Sequence, residues 1–424
     1  MPAFQTVRGM RDLLGAEAST FNFVIANARK VAQLYGFKEV FTPVVEPLEL
    51  LSAKSGEEIR QRMFIFKDLG ERQVALRPEF TASIARLATA AMKNEPKPLR
   101  LFSVGTVYRY DEPQKGRYRE FWQSNFELMG SARPEADAEI VLVTNSFMTA
   151  LGLKGYVFKI GHIGVVRGIL SEEGVDDKTQ NAILQRMDKK EYNEAFKLAS
   201  STKCREMLEG LLKLKSDNCY ETVKKIKEYV ASYKKALVAA QNLEDVLKLI
   251  VESGCPISTV DPAFARGLEY YTGVIFEIYI PELDIALGGG GRYDKLIEAF
   301  GGQPTPSVGV AHGLDRIVMA LQMQNAPIST DCTKRVLVLS VNETLKVEAL
   351  KIAQLLRKDG ITVEFEVMGR KMGKALEDAD KRKVDFAVIV GERELKEGSV
   401  MVKNLATREQ ILVQIKDLPQ KIKG

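Results

Sequence analysis

The chain has 424 residues, 45% of them apolar, enough for two to four domains of ordinary size with a substantial core. No uninterrupted apolar stretch approaches the ~20 residues of a membrane helix, and residues 1–15 hold no apolar targeting core, so a cytosolic location is expected. Net charge is only +5, but residues 331–424 hold 19 basic and 15 acidic residues and residues 166–250 hold 16 and 14. Basic excess in appendages fits a polyanionic partner gripped from outside and, equally, ordinary solvated helix faces. Cys204, Cys219, Cys255 and Cys332 show neither C-x-x-C spacing nor the density of a disulfide scaffold, so they read as reduced thiols, and zinc has no support.

In chain order, Phe21, Val24, Ile25, Ala28, Val31, Ala32 and Tyr35 fall on the i, i+3, i+4, i+7 pattern, which predicts an amphipathic helix ended by Gly36. F-K-E-V-F-T-P-V-V follows as a strand. Pro43 cannot donate to a ladder, so it belongs at an edge or an interruption, in a monomer or at a subunit boundary. V-A-L-R-P-E-F-T-A-S places Glu79 and Thr81 after a strand ending near Arg77 and before a helix, where Pro78 suits the first turn and Thr81 a cap. Residues 100–109 and 120–129 alternate as strands around the polar loop D-E-P-Q-K-G-R-Y-R. In the second, the period of two puts Trp122, Ser124, Phe126 and Leu128 on one face and Phe121, Gln123, Asn125, Glu127 and Met129 on the other. Three polar side chains in a row, each costing roughly 1 to 3 kcal/mol if buried unsatisfied, need water, a network or a ligand.

Residues 166–250 lack strand alternation and are rich in Lys, Glu, Leu and Ala, which reads as a helical insertion with residues 222–240 as one long charged helix. R-G-L-E-Y-Y-T-G at 266–273 runs into an alternating strand over 274–280, followed by L-G-G-G-G-R-Y-D-K-L. An arginine and two tyrosines at a glycine bend beside a sheet suggest a pocket for an anion and a small flat polar group. The four glycines allow close backbone approach to a ligand, or simply a turn, and match neither a P-loop nor a Rossmann pattern. Residues 293–300 then read as a helix. In S-V-G-V-A-H-G-L-D-R-I-V-M-A-L, Leu314, Ile317, Val318 and Leu321 make the buried stripe of a helix, and Arg316 lies roughly opposite, facing solvent or an anion held at the helix N-terminus. The two histidines, His162 and His312, read as structural. After Ala326-Pro327, R-V-L-V-L-S-V, a helix over 343–358, I-T-V-E-F-E-V, a helix to about Lys383 and D-F-A-V-I-V-G alternate as a small α/β domain.

R-G-L-E-Y-Y-T-G resembles R-G-L-D-Y-Y-T-G, the signature of histidyl-tRNA synthetases, with Glu269 where that pattern usually has Asp. The remaining motifs agree. The first helix, strand and Pro43 resemble motif 1 of class II synthetases, which forms their dimer interface. Arg109, the basic loop and F-W-Q-x-x-x-E resemble motif 2. The glycine run and H-G-L-D-R resemble motif 3, with His312 and Asp315 where Met and Glu are usual, and Phe80 stands where Gly is common. This resemblance implies that Arg109, Arg266 and Arg316 are catalytic, the first two at the ATP α-phosphate and the third on the γ-phosphate side. It further implies that Glu79 and Thr81 hold the α-amino group of histidine, that Gln123 and Glu127 bind histidine, and that Tyr270 and Tyr271 border its pocket, with Arg109 and Arg266 also touching the amino acid. Arg117 would contact ATP, Gly289 and Gly290 would wall its adenosine, and Gln114 and Lys115 would reach the tRNA acceptor end. No protein metal site is implied; Mg²⁺ would arrive with ATP.

The implied fold is α+β. It comprises an antiparallel catalytic sheet of six or seven strands flanked by helices (residues 1–165 and 251–326), a helical insertion (166–250) and an α/β anticodon-binding domain (331–424). The resemblance also implies a C2 homodimer that converts L-histidine and ATP to histidyl-adenylate and charges histidine tRNA. A noncatalytic paralogue, the ATP phosphoribosyltransferase regulatory subunit, generally lacks the anticodon domain and has decayed motifs; this sequence has both intact.

Overall fold

The computed structural model describes residues 4–53, 57–114, 116–199, 201–257, 259–266, 270–283, 285–328 and 334–423. It divides into two compact units, Met1–Ile328 and Ser329–Gly424.

The strands of the first unit are β1 (Lys38–Glu39), β2 (Val45–Pro47), β3 (Ile65–Lys67), β4 (Gln73–Leu76), β5 (Leu99–Tyr108), β6 (Glu120–Met129), β7 (Val157–His162), β8 (Thr259–Val260), β9 (Val274–Tyr279), β10 (Gly288–Arg292) and β11 (Ser307–Gly313). Eight of them form one sheet in the order β1-β5-β6-β11-β10-β9-β7-β8. The six central strands are antiparallel throughout, whereas β1 and β8 join the two edges in parallel. The sheet therefore exceeds the expected six or seven strands, because two-residue edge strands are too short to display an alternation.

The helix Gly15–Leu34 buries Phe21, Val24, Ile25, Ala28, Val31 and Ala32, as its periodicity predicts. The segment around Pro43 is not one strand. It splits between β1 in the large sheet and β2 in a separate three-stranded sheet ordered β2-β4-β3, and Pro43 lies in the crossing. Arg77 braces that crossing: its Nη1 donates to the Thr42 carbonyl at 2.8 Å and its Nε to the Thr106 carbonyl at 3.0 Å.

The region 166–250 is helical, but residues 222–240 do not form a single helix. Cys219–Tyr229 and Lys234–Glu252 are separate. The cause is tertiary: the Glu172 carboxylate accepts from the backbone N–H of Lys234 at 3.2 Å and of Lys235 at 2.7 Å, capping a fresh N-terminus that local sequence does not announce.

In the second unit, β12 (Arg335–Ser340), β13 (Thr362–Phe365), β14 (Phe386–Val390), β15 (Ser399–Asn404) and β16 (Gln410–Gln414) form a sheet ordered β13-β12-β14-β15-β16. Alternation along β12 feeds two cores. Val336 and Val338 pack with Ala349, Ile352 and Leu356 of the helix Lys346–Lys358, while Leu337 and Leu339 pack with Ala375 and Ala379 of the helix Met372–Lys381. The antiparallel strands β15 and β16 extend the alternation read from sequence. No described helix is long and apolar enough to cross a membrane.

Candidate active site

The register of the large sheet builds the site. Gln123, Asn125 and Glu127 of β6 lie opposite Gly313, Ala311 and Gly309 of β11; Ala311 and Gly309 lie opposite Gly289 and Gly291 of β10; and Gly289 lies opposite Glu277 of β9. Paired residues share a face, so one face carries three polar side chains beside a floor of glycine and alanine. That floor leaves a cavity of about 360 Å³. Close packing requires it: a Cβ on Gly309 would overlap the Glu127 carboxylate, and one on Gly289 would sit 2.9 Å from the guanidinium nitrogens of Arg266. The four-glycine run is thus a central strand rather than a turn, and period two makes Gly290 face away from the cavity, opposite Val310 and Phe276. Gly288 and Gly289 line the cavity; Gly290 does not.

The other face is sealed by helices. There His312 meets the hydroxyls of Ser124 at 3.2 Å and Thr144 at 3.1 Å, and burial pulls its pKa down to about 3, so it is a neutral packing residue. His162 accepts from the Gly164 N–H and caps the helix Ile163–Glu172. Both histidines are structural, as read from sequence.

One half of the cavity is acidic and phenolic. Thr81 does not cap its helix; its hydroxyl donates to Glu127 Oε1 at 2.7 Å, while the Tyr293 hydroxyl donates to Glu127 Oε2. The Tyr270 hydroxyl donates to Glu79 Oε2 at 3.2 Å, and the Tyr270 and Tyr271 rings lie 5.0 Å apart. Burial pushes the Glu127 carboxyl up to about 7, against the hydrogen bonds from Tyr293 and Thr81 that favour its ionised form. Burial also raises Glu79 and lowers Arg109, and each opposes the shift of the other through its charge. Gln123 Oε1 and Asn125 Oδ1 are buried without a hydrogen-bond partner. Such acceptors suit a small ligand rich in N–H groups. Phe80 sits in ordinary helical geometry, φ −94° and ψ −27°, and its ring stacks on the Arg77 guanidinium at 4.1 Å, so this position needs no glycine.

The other half is cationic. Arg109, directly after β5, donates from Nε to the Pro78 carbonyl at 2.9 Å and lies over the Phe121 ring. Arg266 pairs with Glu277. Arg316, in the first turn of the helix Leu314–Met323, donates to the carbonyls of Ala286 at 2.7 Å and Gly116 at 3.5 Å. Burial, followed by the charges of Arg117, Arg109 and Arg266, pulls Arg316 down to about 10, so these four guanidinium groups converge although they come from three stretches far apart in sequence. It stays cationic at neutral pH. Cations this close repel one another unless a polyanion shares the site.

Of the expected site residues on the histidine side, Glu79, Thr81, Gln123, Tyr270 and Tyr271 line this one cavity together with Arg109, Arg117, Arg266 and Arg316, whereas Glu127 lies just behind the lining, its carboxylate accepting from the cavity residues Thr81 and Tyr293. Gln114 pairs with Arg117 in the motif 2 loop and does not line the cavity. Lys115 and residues 267–269, Glu269 among them, lie outside the described residues. Tyr293, Glu277 and Phe121 also line the cavity, beyond the residues expected. A period-two count gives Tyr293 away, since it follows Gly289 and Gly291 on the same face; Glu277 acquires meaning only through Arg266.

An antiparallel sheet whose one face joins a carboxylate pocket to an arginine-walled pocket defines the catalytic unit of a class II aminoacyl-tRNA synthetase. Residues 9–317 match the family model described as histidyl-tRNA synthetase, and residues 335–424 match the anticodon binding domain. The chain belongs to the histidyl-tRNA synthetase family. It is 40% identical over 419 residues to the histidine–tRNA ligase of Methanocaldococcus jannaschii, covering 98% of both chains. Against the histidine–tRNA ligase of Sulfolobus acidocaldarius it is 36% identical over 421 residues, 99% of this chain and 98% of the relative. In fold it matches the crystal structure of histidyl-tRNA synthetase from Nostoc sp. PCC 7120, with a TM-score of 0.79 at 24% identity over 100% of this chain and 99% of that one. A Bacillus halodurans C structure described as an ATP phosphoribosyltransferase regulatory subunit/histidyl-tRNA synthetase matches with a TM-score of 0.75 at 24% identity, covering 92% and 98%.

Proposed function

We propose that the chain activates L-histidine with ATP to histidyl-adenylate and transfers the histidyl group to the 3′ end of histidine tRNA. The observation that carries this reading is the joining of a buried carboxylate pocket to four converging guanidinium groups in one cavity, in a member of this family. In-line attack by the histidine carboxylate builds negative charge on the α-phosphate. Arg109 and Arg266 stand where that charge grows, and losing one such preorganised donor typically costs ~2.7 to 4 kcal/mol. Arg316 and Arg117 hold the polyphosphate, and Gly289 gives the adenosine a flat wall.

Glu79, Thr81 and Tyr270 take the α-amino end of histidine. Glu127 accepts from an imidazole N–H, Gln123 offers its unpartnered Oε1, and Tyr271 closes the pocket. A site that hydrogen-bonds its substrate this fully rejects isosteres lacking those groups by ~10⁴ to 10⁵, which removes the need for an editing domain.

Among the described residues no group of three or more His, Cys, Asp or Glu is placed to hold a metal. A magnesium ion carried in on the triphosphate would be bound mainly by the substrate's own phosphates, and Asp111 and Glu277 are carboxylates of the same cavity that could help to hold it. When bound, it neutralises charge on the departing pyrophosphate.

Residues 1–165 and 251–326 act as the catalytic core, 166–250 as an insertion and 331–424 as the anticodon-binding domain, with Gln114 and Lys115 toward the acceptor end. The working unit is a homodimer in the cytoplasm. Exposed Phe41, Val45, Ile65 and Phe66, on and beside the small three-stranded sheet, supply the apolar surface for a second copy. Histidine-dependent exchange of pyrophosphate into ATP tests the reading directly. A folded chain without such exchange would be a regulatory paralogue, and the assignment would be withdrawn.

A further inference from the structure

We infer that Arg11 is a positioning residue for the ATP half of the pocket, an inference that rests on the synthetase reading above. The Arg11 guanidinium carbon lies over the Tyr118 ring, 3.7 Å from its centroid, and its Nη2 donates to Asp315 Oδ1 at 2.6 Å. Tyr118 adjoins Arg117 in the motif 2 loop, and Asp315 adjoins Arg316 at the start of its helix. One side chain near the start of the chain thus ties together the two elements that carry the polyphosphate arginines. The second oxygen of Asp315 accepts from the Trp122 N–H at 2.7 Å, fixing the beginning of β6 to the same point.

The segment that carries Arg11 is itself fastened to this loop. The Gly9 carbonyl accepts from the Arg119 N–H at 2.8 Å, and Gly9 has φ +84° with no room for a Cβ, which would sit 2.8 Å from Arg119 Cγ. Among the other side-chain ties on the loop, the Arg8–Glu112 pair is solvent-exposed on both sides, the Arg316 Nε contact to the Gly116 carbonyl is 3.5 Å long, and the Arg62–Asp111 pair at 3.4 Å and the Arg119 stack on Tyr110 hold the ends of the loop rather than Tyr118. None of the Arg11 contacts reaches Glu79, Thr81, Gln123 or Glu127. Its direct contacts therefore lie on the polyphosphate side. Lysine is a poor substitute, because only a planar guanidinium can stack by its face and donate by its edge at once.

The test is separate calorimetric titration of the full chain with ATP and with histidine, paired with exchange kinetics. Arg11→Ala is expected to weaken ATP binding and raise the KM for ATP at least tenfold, with the histidine constants within twofold of wild type. Arg11→Lys is expected to recover only part of that loss, and Arg11→Ala combined with Asp315→Asn should be no worse than the worse single variant. Unchanged ATP constants would overturn the inference, and so would a parallel rise for ATP and histidine, which signals general loosening. If Arg11→Ala does not fold, Tyr118→Leu removes the stacking platform while leaving the ion pair, and the same ATP-selective loss is required of it. A wild-type chain that binds ATP but shows no histidine-dependent exchange would refute the enzymatic reading and leave the ATP comparison between wild type and variant intact.

Discussion

Replacing Glu127 by glutamine should stabilise the unliganded chain at alkaline pH while damaging histidine binding. Glu127 is 1% exposed, and burial raises its carboxyl from the ordinary 4.5 to about 7. At 1.36 kcal/mol for each tenfold change in proton affinity, that difference stores roughly 3 kcal/mol against ionisation. The folded chain therefore holds this proton more tightly than the unfolded chain does. The resulting contribution to stability is complete below about pH 4.5 and is lost as pH rises through about 7. Glutamine has no charge to desolvate, and the Thr81 and Tyr293 hydroxyls can reorient toward its amide. Glu127→Gln should accordingly match wild type near pH 4.5 and exceed it above pH 7, by at most about 3 kcal/mol. The variant also loses an ionised acceptor for the imidazole, and a hydrogen bond to a charged group contributes ~1.5 to 3 kcal/mol, so histidine affinity should fall roughly 10- to 100-fold. Thermal melts of both proteins at pH 5 and 8.5 without ligand, together with histidine titration at pH 8.5, measure the two effects. A variant that melts at or below wild type at pH 8.5, or a gap that does not widen with pH, would refute this account of the carboxylate.

Arg266→Ala should slow adenylation at least a hundredfold with an unchanged melting temperature; a near-normal exchange rate would remove Arg266 from the chemistry. Gly289→Ala places a Cβ 2.9 Å from the Arg266 nitrogens and should reduce exchange by displacing that guanidinium, an effect that steady-state kinetics and a variant structure would detect. A chain ending at Pro327 retains the first unit's core and should still form some adenylate while charging tRNA poorly; unimpaired charging would dismiss the anticodon role of the second unit. Because basic excess sits in residues 166–250 and 331–424, tRNA affinity should fall steeply between low and moderate salt in a filter-binding titration, and a flat titration would count against a backbone grip.

How much of this was legible along the chain depended on how local each feature is. Alternation in β6 separated Gln123, Asn125 and Glu127 from Trp122, Ser124 and Phe126 without any knowledge of partners, because successive residues of a strand point to opposite faces whatever lies beside them. The stripe Leu314, Ile317, Val318 and Leu321 declared its helix in the same way. The glycine run could not: four residues without side chains show no alternation, and only pairing with β9 and β11 makes them a central strand. Nor could the break between Tyr229 and Lys234, since the cap that starts the second helix belongs to Glu172, more than sixty residues earlier.

The sequence alone determined the order of motifs, the family, the α+β class and most of the residues that meet in the candidate site, because these rest on residue type and short-range period. Only the tertiary structure decided that Thr81 serves Glu127 rather than a helix end, that Gly289 faces the cavity and Gly290 does not, and that Arg109, Arg117, Arg266 and Arg316 press on one another. Those outcomes depend on register and burial, which arise when distant strands pair and water is expelled between them.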